Sequence, residues 1–184
     1  MIARPQQQHR QSGASAIEFA LVAVILLTLL FGIIEFGRLF FTLNSVQEIT
    51  RRAAREQVVR WVSAADQVQR LAVLRAGSSG EVNFPGSPDI RNVHVRLSFL
   101  NPSMAVIPAN SLPASPTENF NNCFLPADEN DYAKCIKFVQ AALSRDAGGA
   151  EPLDFSVIAP YMPRDAFALP VSTVTMPAEA MGLL

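Results

Sequence analysis

Apolar residues fill a stretch near the N-terminus, from Phe19 to Ile34, that contains no charged side chain. Counted from Ala14, the stretch is about 21 residues long, or roughly 30 Å of helix, which is enough to cross the hydrocarbon core of a bilayer. It contains no proline, and Gly32 is its only weak helix former. The pattern predicts a membrane-spanning helix over residues 14–36, and the charged residues Glu35 and Arg38 mark the end of its apolar run.

A secretory signal peptide that is removed is the simplest rival to an anchor. Such a peptide has an apolar core of about 7–15 residues, followed at once by a cleavage site with two small residues. Here the apolar run is longer and ends in Glu35-Phe36-Gly37-Arg38, without such a pair. The sequence therefore disfavours a removed signal peptide and leaves a plain uncleaved anchor as an alternative.

Beyond Arg38, apolar residues recur at three- and four-residue steps as far as Ala72, with arginines and glutamines largely between them. This pattern predicts one helix from about Ala14 to Ala76, half in lipid and half, over residues 37–76, under a globular head. Trp61 is expected to anchor the core beneath that head. The sequence Gly77-Ser-Ser-Gly80 predicts the end of the helix.

The remaining residues, 77–184, show short patterns typical of strands. In Asn92–Leu100, apolar and polar residues alternate, which predicts a strand with His94 on its surface side. The proline-rich stretch Asn101–Asn122 predicts a long loop, and Cys135–Leu143 fits a helix or a strand. Further short strands are predicted at Glu81–Phe84, Phe155–Ala159 and Val171–Met176. The predicted class is α+β, a long N-terminal transmembrane and stalk helix packed on a small antiparallel β-sheet of about four strands.

The net charge of −1 conceals a gradient along the chain. The Gln-rich leader, residues 1–13, contains Arg4 and Arg10 and no acid, whereas the part after Ala76 contains six basic and eleven acidic residues. Basic residues ahead of a spanning helix favour a cytoplasmic N-terminus, with the head in the periplasm or outside the cell. The acidic head argues against nucleic-acid binding.

The two cysteines, Cys123 and Cys135, both lie in the part that is expected to be exported. An oxidising compartment favours a disulfide between them, and two free thiols are the alternative. Asp128, Glu129 and Asp131 lie in the enclosed loop and carry oxygen ligands of the kind that calcium binds. The EF-hand pattern is absent, so a solvated acidic loop is the better interpretation.

Signals of catalysis are absent from the sequence. The chain has two histidines, no glycine-rich phosphate loop, no nucleophile elbow and no cluster of metal ligands. We therefore expect a protein that is not an enzyme and has no cofactor.

Glu18 does not fit a plain anchor, because a carboxylate in a spanning helix costs about 2.5–3.5 kcal/mol at mid-bilayer and less near the interface. A cut between Gly13 and Ala14 would create an amino group four residues away, roughly 6 Å along the helix. A neighbouring subunit shifted by a turn could present its Ala14 ammonium to Glu18. The spacing therefore predicts a charge pair used in assembly.

These residues carry a resemblance to a known family. Gly13 before the cut, Glu18 at the fifth mature position and Phe19 at the sixth resemble the type IV prepilin processing signal, and the aromatic after the acid resembles the Flp/Tad branch. Three longer runs are similar to the TadE family of minor pseudopilins: Gly13–Val22, Phe31–Arg38 and Ala53-Ala-Arg55. A weaker similarity lies at Met176-Pro-Ala-Glu179. The small Ala14 departs from the branches that begin with Phe.

The resemblance implies a structural subunit that a prepilin peptidase cuts after Gly13 and that acts in a Tad-type pilus or secretion apparatus, in adhesion or biofilm formation. The implied partners are the peptidase, sister minor pseudopilins, the major pilin, the inner-membrane assembly platform and the lipid bilayer. The implied location is the bacterial inner membrane, crossed once. The comparison also favours a strand for Cys135–Leu143. The alternative is an uncleaved single-pass periplasmic binding or scaffold protein, which gives no purpose to Gly13 or Glu18.

Overall fold

The computed structural model describes residues 12–159, 163, 167–178 and 181. Its longest element is helix α1, Ser12–Val59, which runs for 48 residues. At the rise of an α-helix this corresponds to roughly 70 Å. The predicted membrane-spanning stretch is thus the first part of a much longer helix, and the arginines of the predicted leader, Arg4 and Arg10, lie outside the described residues.

The prediction that this helix continues to Ala76 is wrong, because α1 ends at Val59. Trp61 has extended backbone, with φ −69° and ψ 160°, and a short 3-10 turn, Val62–Ala64, follows it. The chain then forms a second helix, α2, Ala65–Ala72. The apolar periodicity of the sequence continues through this turn, which is why the sequence did not reveal the break.

The side chain of Gln57 closes the end of α1. Its Nε2 donates hydrogen bonds to the carbonyl oxygens of Arg60 at 3.1 Å and Trp61 at 3.2 Å, and the Trp61 carbonyl also accepts from the backbone N–H of Ala64 at 2.9 Å. The turn brings α2 against α1, and Val68 and Ala72 are buried there. The burial of these apolar side chains favours the turn over a straight helix.

Seven short strands in the described residues form three antiparallel sheets. The central sheet has the order β3-β4-β7, and the other two are the pairs β1-β2 and β5-β6. The bounds are β1 Asn83–Phe84, β2 Ser87–Arg91, β3 Val95–Leu100, β4 Phe138–Leu143, β5 Leu153–Phe155, β6 Phe167–Leu169 and β7 Ser172–Pro177. The predicted α+β class is confirmed, with three small sheets in place of one sheet of about four strands.

Helix α1 packs along the central sheet and supplies one side of the main core. Val46, Ile49 and Ala53 of α1 are buried and share an apolar cluster with Val95 of β3 and Leu143 of β4. A second cluster, around Phe99, Ile136 and Val139, lies near the C-terminal end of α1. Trp61 packs against this second cluster, as predicted.

The strand predicted over Asn92–Leu100 begins only at Val95, because the preceding three residues form a 3-10 turn. In this turn His94 is 7% exposed, so its predicted surface position is wrong. The strand predicted within Cys135–Leu143 is confirmed as β4, which pairs with β3 and β7.

Two other predicted segments differ from the structure. The strand predicted at Phe155–Ala159 is instead β5, Leu153–Phe155, and extended chain without strand pairing follows it. The predicted loop Asn101–Asn122 contains the start of helix α3, Pro116–Phe124. A further short helix, α4, is Glu129–Ala133.

Candidate functional site

The side chains of the predicted membrane segment are not covered by the rest of the chain. From Ile17 to Ile34, every large apolar side chain is at least 43% exposed, and Phe19 reaches 75%. An apolar surface of this length is far larger than a soluble monomer leaves in water. Within the described residues, α1 is also the helix that is long and apolar enough to cross a membrane. The structure is therefore compatible with a single-pass anchor.

Gly13 and Ala14, the predicted processing site, lie in the first turn of α1 and are exposed. A Cβ placed on Gly13 would meet no atom within 4 Å. The fold therefore gives no reason for a glycine at this position, since glycine is a poor helix former compared with almost any other residue.

Glu18, the predicted assembly residue, is exposed on α1 between the apolar side chains of Ile17 and Phe19. In the described part of the chain, no hydrogen bond or ion pair involves its carboxylate. The geometry thus leaves Glu18 available to a group on another molecule, and Ala14 of the same helix lies one turn away.

A second carboxylate on α1, Glu35, is in a different environment and is 7% exposed. Its Oε1 atom lies 2.9 Å from Nη1 of Arg38 and accepts a hydrogen bond of 3.3 Å from the backbone N–H of Ile158. The Arg38 guanidinium also donates to the carbonyl oxygen of Ser156 at 3.4 Å and lies 5.2 Å above the ring of Phe155. This pair joins the helix to the head directly after the exposed apolar segment.

Sequence reasoning missed the contacts of Glu35 and Arg38 with the head, because it used the two residues only to mark the end of the apolar run and as part of the run Phe31–Arg38 that resembles the TadE family. The sequence offered one signal for these contacts, the i, i+3 spacing of Glu35 and Arg38 at the end of the apolar run. An ion pair on a helix surface gives little stability, so the spacing alone does not show that the pair is covered by a distant part of the chain.

The disulfide between Cys123 and Cys135 is present in the structure, and it ties α3 to the segment before β4. Asn119 of α3 reinforces this link, since its Oδ1 accepts from the backbone N–H of Ile136 at 2.7 Å. In the enclosed loop, Asp128 caps α4 by accepting from the backbone N–H of Asp131 at 2.8 Å. The described residues include no group of three His, Cys, Asp or Glu side chains that is arranged for a metal ion.

His94 lies at the edge of a polar groove between β2 and β5, and both of its ring nitrogens contact Arg91. The backbone N–H of Arg91 donates to Nδ1 at 3.3 Å, and the Arg91 guanidinium lies 3.2 Å from Nε2. Burial lowers the pKa of His94, and the positive charges of Arg91 and Arg96 lower that pKa further, while Glu81 opposes them. His94 therefore belongs to the fold of the head as a neutral side chain.

Comparison with known protein families identifies the segment that contains Gly13, Glu18, Glu35 and Arg38. Residues 13–55 match the TadE-like protein family. The match confirms the resemblance to the TadE-like family that was drawn from the sequence of this segment. No curated protein and no solved structure matches the chain.

The TadE-like segment covers a little under a quarter of the chain. It includes the exposed apolar part of α1, the junction with the head, and the part of α1 that packs in the main core. The disulfide, α3 and the groove around His94 lie outside it. The family relationship therefore concerns the helix, and the head has to be interpreted from its own structure.

Proposed function

We propose that this protein is a minor pseudopilin of a Tad-type pilus or secretion apparatus, cut after Gly13 by a membrane aspartyl prepilin peptidase. The mature subunit would begin at Ala14 and remain in the inner membrane, or join the pilus, through the first part of α1. Its partners would be sister minor pseudopilins, the major pilin and the inner-membrane assembly platform. The TadE-like match over residues 13–55 supports the pilus association.

The observation that carries the proposal is the carboxylate of Glu18, which has no partner among the described residues and lies on the exposed apolar surface of α1. A carboxylate in such a place is costly in lipid, and a plain anchor has no use for it. Cleavage after Gly13 would supply the missing positive charge, because the new Ala14 ammonium of a neighbouring subunit can reach Glu18. The same event would explain Gly13, which the fold does not require.

The absence of a side chain at Gly13 would let the peptidase approach the backbone closely. The peptide bond after Gly13 lies at the first turn of α1, at the end of the helix that is away from the head. A membrane protease could therefore reach it without disturbing the packed core.

The deciding experiment is to determine the N-terminal residue of the membrane-localised protein in cells with and without the prepilin peptidase. We expect Ala14 when the peptidase is present and an uncleaved N-terminus when it is absent. An uncleaved N-terminus in both strains would contradict the proposal and favour a single-pass anchored binding or scaffold protein.

A further inference from the structure

One end of the head touches α1 where the uncharged apolar run ends, at Ile34. The ring of Phe155, at the end of β5, and that of Phe167, at the start of β6, border a small apolar gap against Gly32 and Leu39. One residue beyond Ile34, Glu35 accepts the hydrogen bond from the backbone N–H of Ile158. The segment after β5 therefore lies at the same level along the helix as the last residues of the apolar run.

This segment is held from two sides. Arg38 of α1 donates to the carbonyl oxygen of Ser156 at 3.4 Å, and its guanidinium covers the ring of Phe155. On the other side, Asp89 of β2 accepts from the backbone N–H of Ser156 at 3.1 Å and also from its hydroxyl. Because these contacts involve backbone atoms of the segment, they fix the position of residues 155–158 along the axis of α1.

The side chain of Ile158 is 69% exposed although its backbone is held. Its neighbours Phe155, Val157 and Ala159 are buried, so the alternation of the extended chain directs Ile158 outward. At the same level of α1, Ile34 and Phe36 are 50% and 61% exposed. The exposed apolar surface of the helix therefore continues onto the head at this point.

We propose that Ile158 and the segment 155–158 rest in the outer interface of the lipid bilayer, so that the head is seated on the membrane. This inference rests on the membrane-spanning helix of the proposed function. The span from Ala14 to Ile34 is about as long as the hydrocarbon core is thick. If the span fills the core, Glu35 lies at the outer boundary, and Ile158, which is bonded to it, lies at the same depth.

The electrostatics of the junction suit a lipid surface. The carboxylate of Glu35 is buried and paired with Arg38, so it does not face the bilayer as an unpaired charge. Arg38 itself is only partly exposed, with a side-chain exposure of 27%, and lies between the head and the interface. A second copy of the chain is the competing occupant, and the experiment is designed to separate it from lipid.

The test uses the full chain with one added cysteine that carries an environment-sensitive fluorophore, reconstituted in phosphatidylcholine–phosphatidylglycerol vesicles. The native cysteines are joined to each other, so labelling without reductant addresses the added thiol. The three positions are Ile158→Cys, Leu26→Cys in the middle of the span, and Val106→Cys, which is 59% exposed at the end of the head near the second cluster. Spin-labelled lipids then quench the fluorophore, with the spin label at the headgroup or deep in the acyl chain.

We expect the label at position 26 to be quenched most by the deep spin label. The label at position 158 should be quenched most by the shallow spin label, and at least about threefold more strongly than the label at position 106. If position 26 is quenched while 158 behaves like 106, the seating of the head is refuted and the span survives. If position 26 is not quenched, the span of the proposed function fails, and this inference fails with it. Crosslinking of Ile158→Cys to a second copy, without shallow quenching, would also overturn the inference and assign the surface to self-association.

Discussion

Two glycines of α1, Gly13 and Gly37, have open space where a Cβ would stand. A leucine at either position should therefore be accommodated by the fold and should favour the helix. We expect Gly13→Leu to accumulate as uncleaved precursor in the membrane, whereas Gly37→Leu is processed normally. Immunoblots of membranes from cells with the prepilin peptidase would show the two sizes. Normal processing of Gly13→Leu would contradict the proposed cleavage site.

Glu18 has its own prediction, which separates assembly from membrane insertion. Glu18→Gln removes the charge with little change in shape, so it should remove the attraction to an Ala14 ammonium and leave the anchor intact. We expect incorporation into the pilus-associated fraction to fall at least about tenfold, which corresponds to about 1.4 kcal/mol of pairing free energy. Co-purification with the other pilus components would measure this loss.

The matched control for Glu18→Gln is Glu48→Gln, which changes an exposed glutamate on the same helix that lies 3.8 Å from Arg52. Surface ion pairs of this kind contribute little, so the control should assemble normally. Equal assembly of both variants and the unmodified protein would refute the charge-pair role of Glu18.

His94 makes the stability of the head dependent on pH. Its folded-state pKa is lowered below 6.5 by burial and by Arg91 and Arg96, so protonation favours the unfolded state. The stabilisation from neutral His94 is complete above pH 6.5 and is lost as the pH falls toward the folded-state pKa. Denaturant unfolding between pH 7.5 and 5 should show this decline.

A flattened decline in His94→Gln, with the full decline retained in His9→Gln, would assign the effect to His94. The loss of stability caused by Asp146 can be separated from that caused by His94, because it occurs at a lower pH. The carboxyl of Asp146 also has a lowered pKa, caused mainly by the backbone N–H of Glu151. Asp146 stabilises the fold above the ordinary aspartate pKa of 3.8, and this contribution is lost only below that pH.

At the scale of elements, α3 depends on the disulfide and on its cap. Cys123 and Cys135 enclose a separation of 12 residues, and closing a loop of about this size contributes about 3 kcal/mol. We expect the double variant Cys123→Ser/Cys135→Ser to lose about this amount in denaturant unfolding. Reduction should add the mass of two hydrogens to the unmodified protein, and an unchanged mass would mean free thiols.

The elements that were predicted correctly are those with a clear pattern in the sequence. The apolar run from Phe19 to Ile34 predicted a helix, which is the first part of α1, and Val171–Met176 predicted a strand, which is β7. Helix α3 was missed, although Ser115 and Glu118 have the spacing of a capping box. In the structure, Ser115 accepts from the backbone N–H of Glu118 at 3.1 Å, and Glu118 accepts from that of Ala114 at 2.8 Å.

The elements that were predicted wrongly depend on contacts between distant parts of the chain. The break after Val59 is stabilised by the buried side chain of Gln57 and by the packing of α2. The burial of His94 results from the turn before β3 and from its contacts with Arg91. The apolar spacing does not reveal the break, because a 3-10 turn and a helix place apolar residues at similar spacings. The alternation over Asn92–Leu100 does not reveal that the strand begins only at Val95.

At the scale of the whole molecule, α1 combines an exposed apolar part with a part that is packed in the main core. The first part of α1 exposes apolar side chains on all sides, whereas the part from Val46 to Ala54 buries one face in the main core. Gly13 and Glu18 could be named as candidates from the sequence because they face outward, and their roles in processing and assembly stay predictions. The junction at Glu35 and Arg38 required the structure, since its partners are more than a hundred residues away.

The continuity of α1 has a mechanical consequence. No hinge separates the anchor from the core of the head, and the contacts of Glu35 and Arg38 stiffen the place where one would be expected. An axial displacement of the anchor by one helical turn, about 5.4 Å, would therefore move the head by the same distance without slack. If the protein has the proposed function, it would transmit force and torque from the plane of the membrane to whatever is attached to its far end.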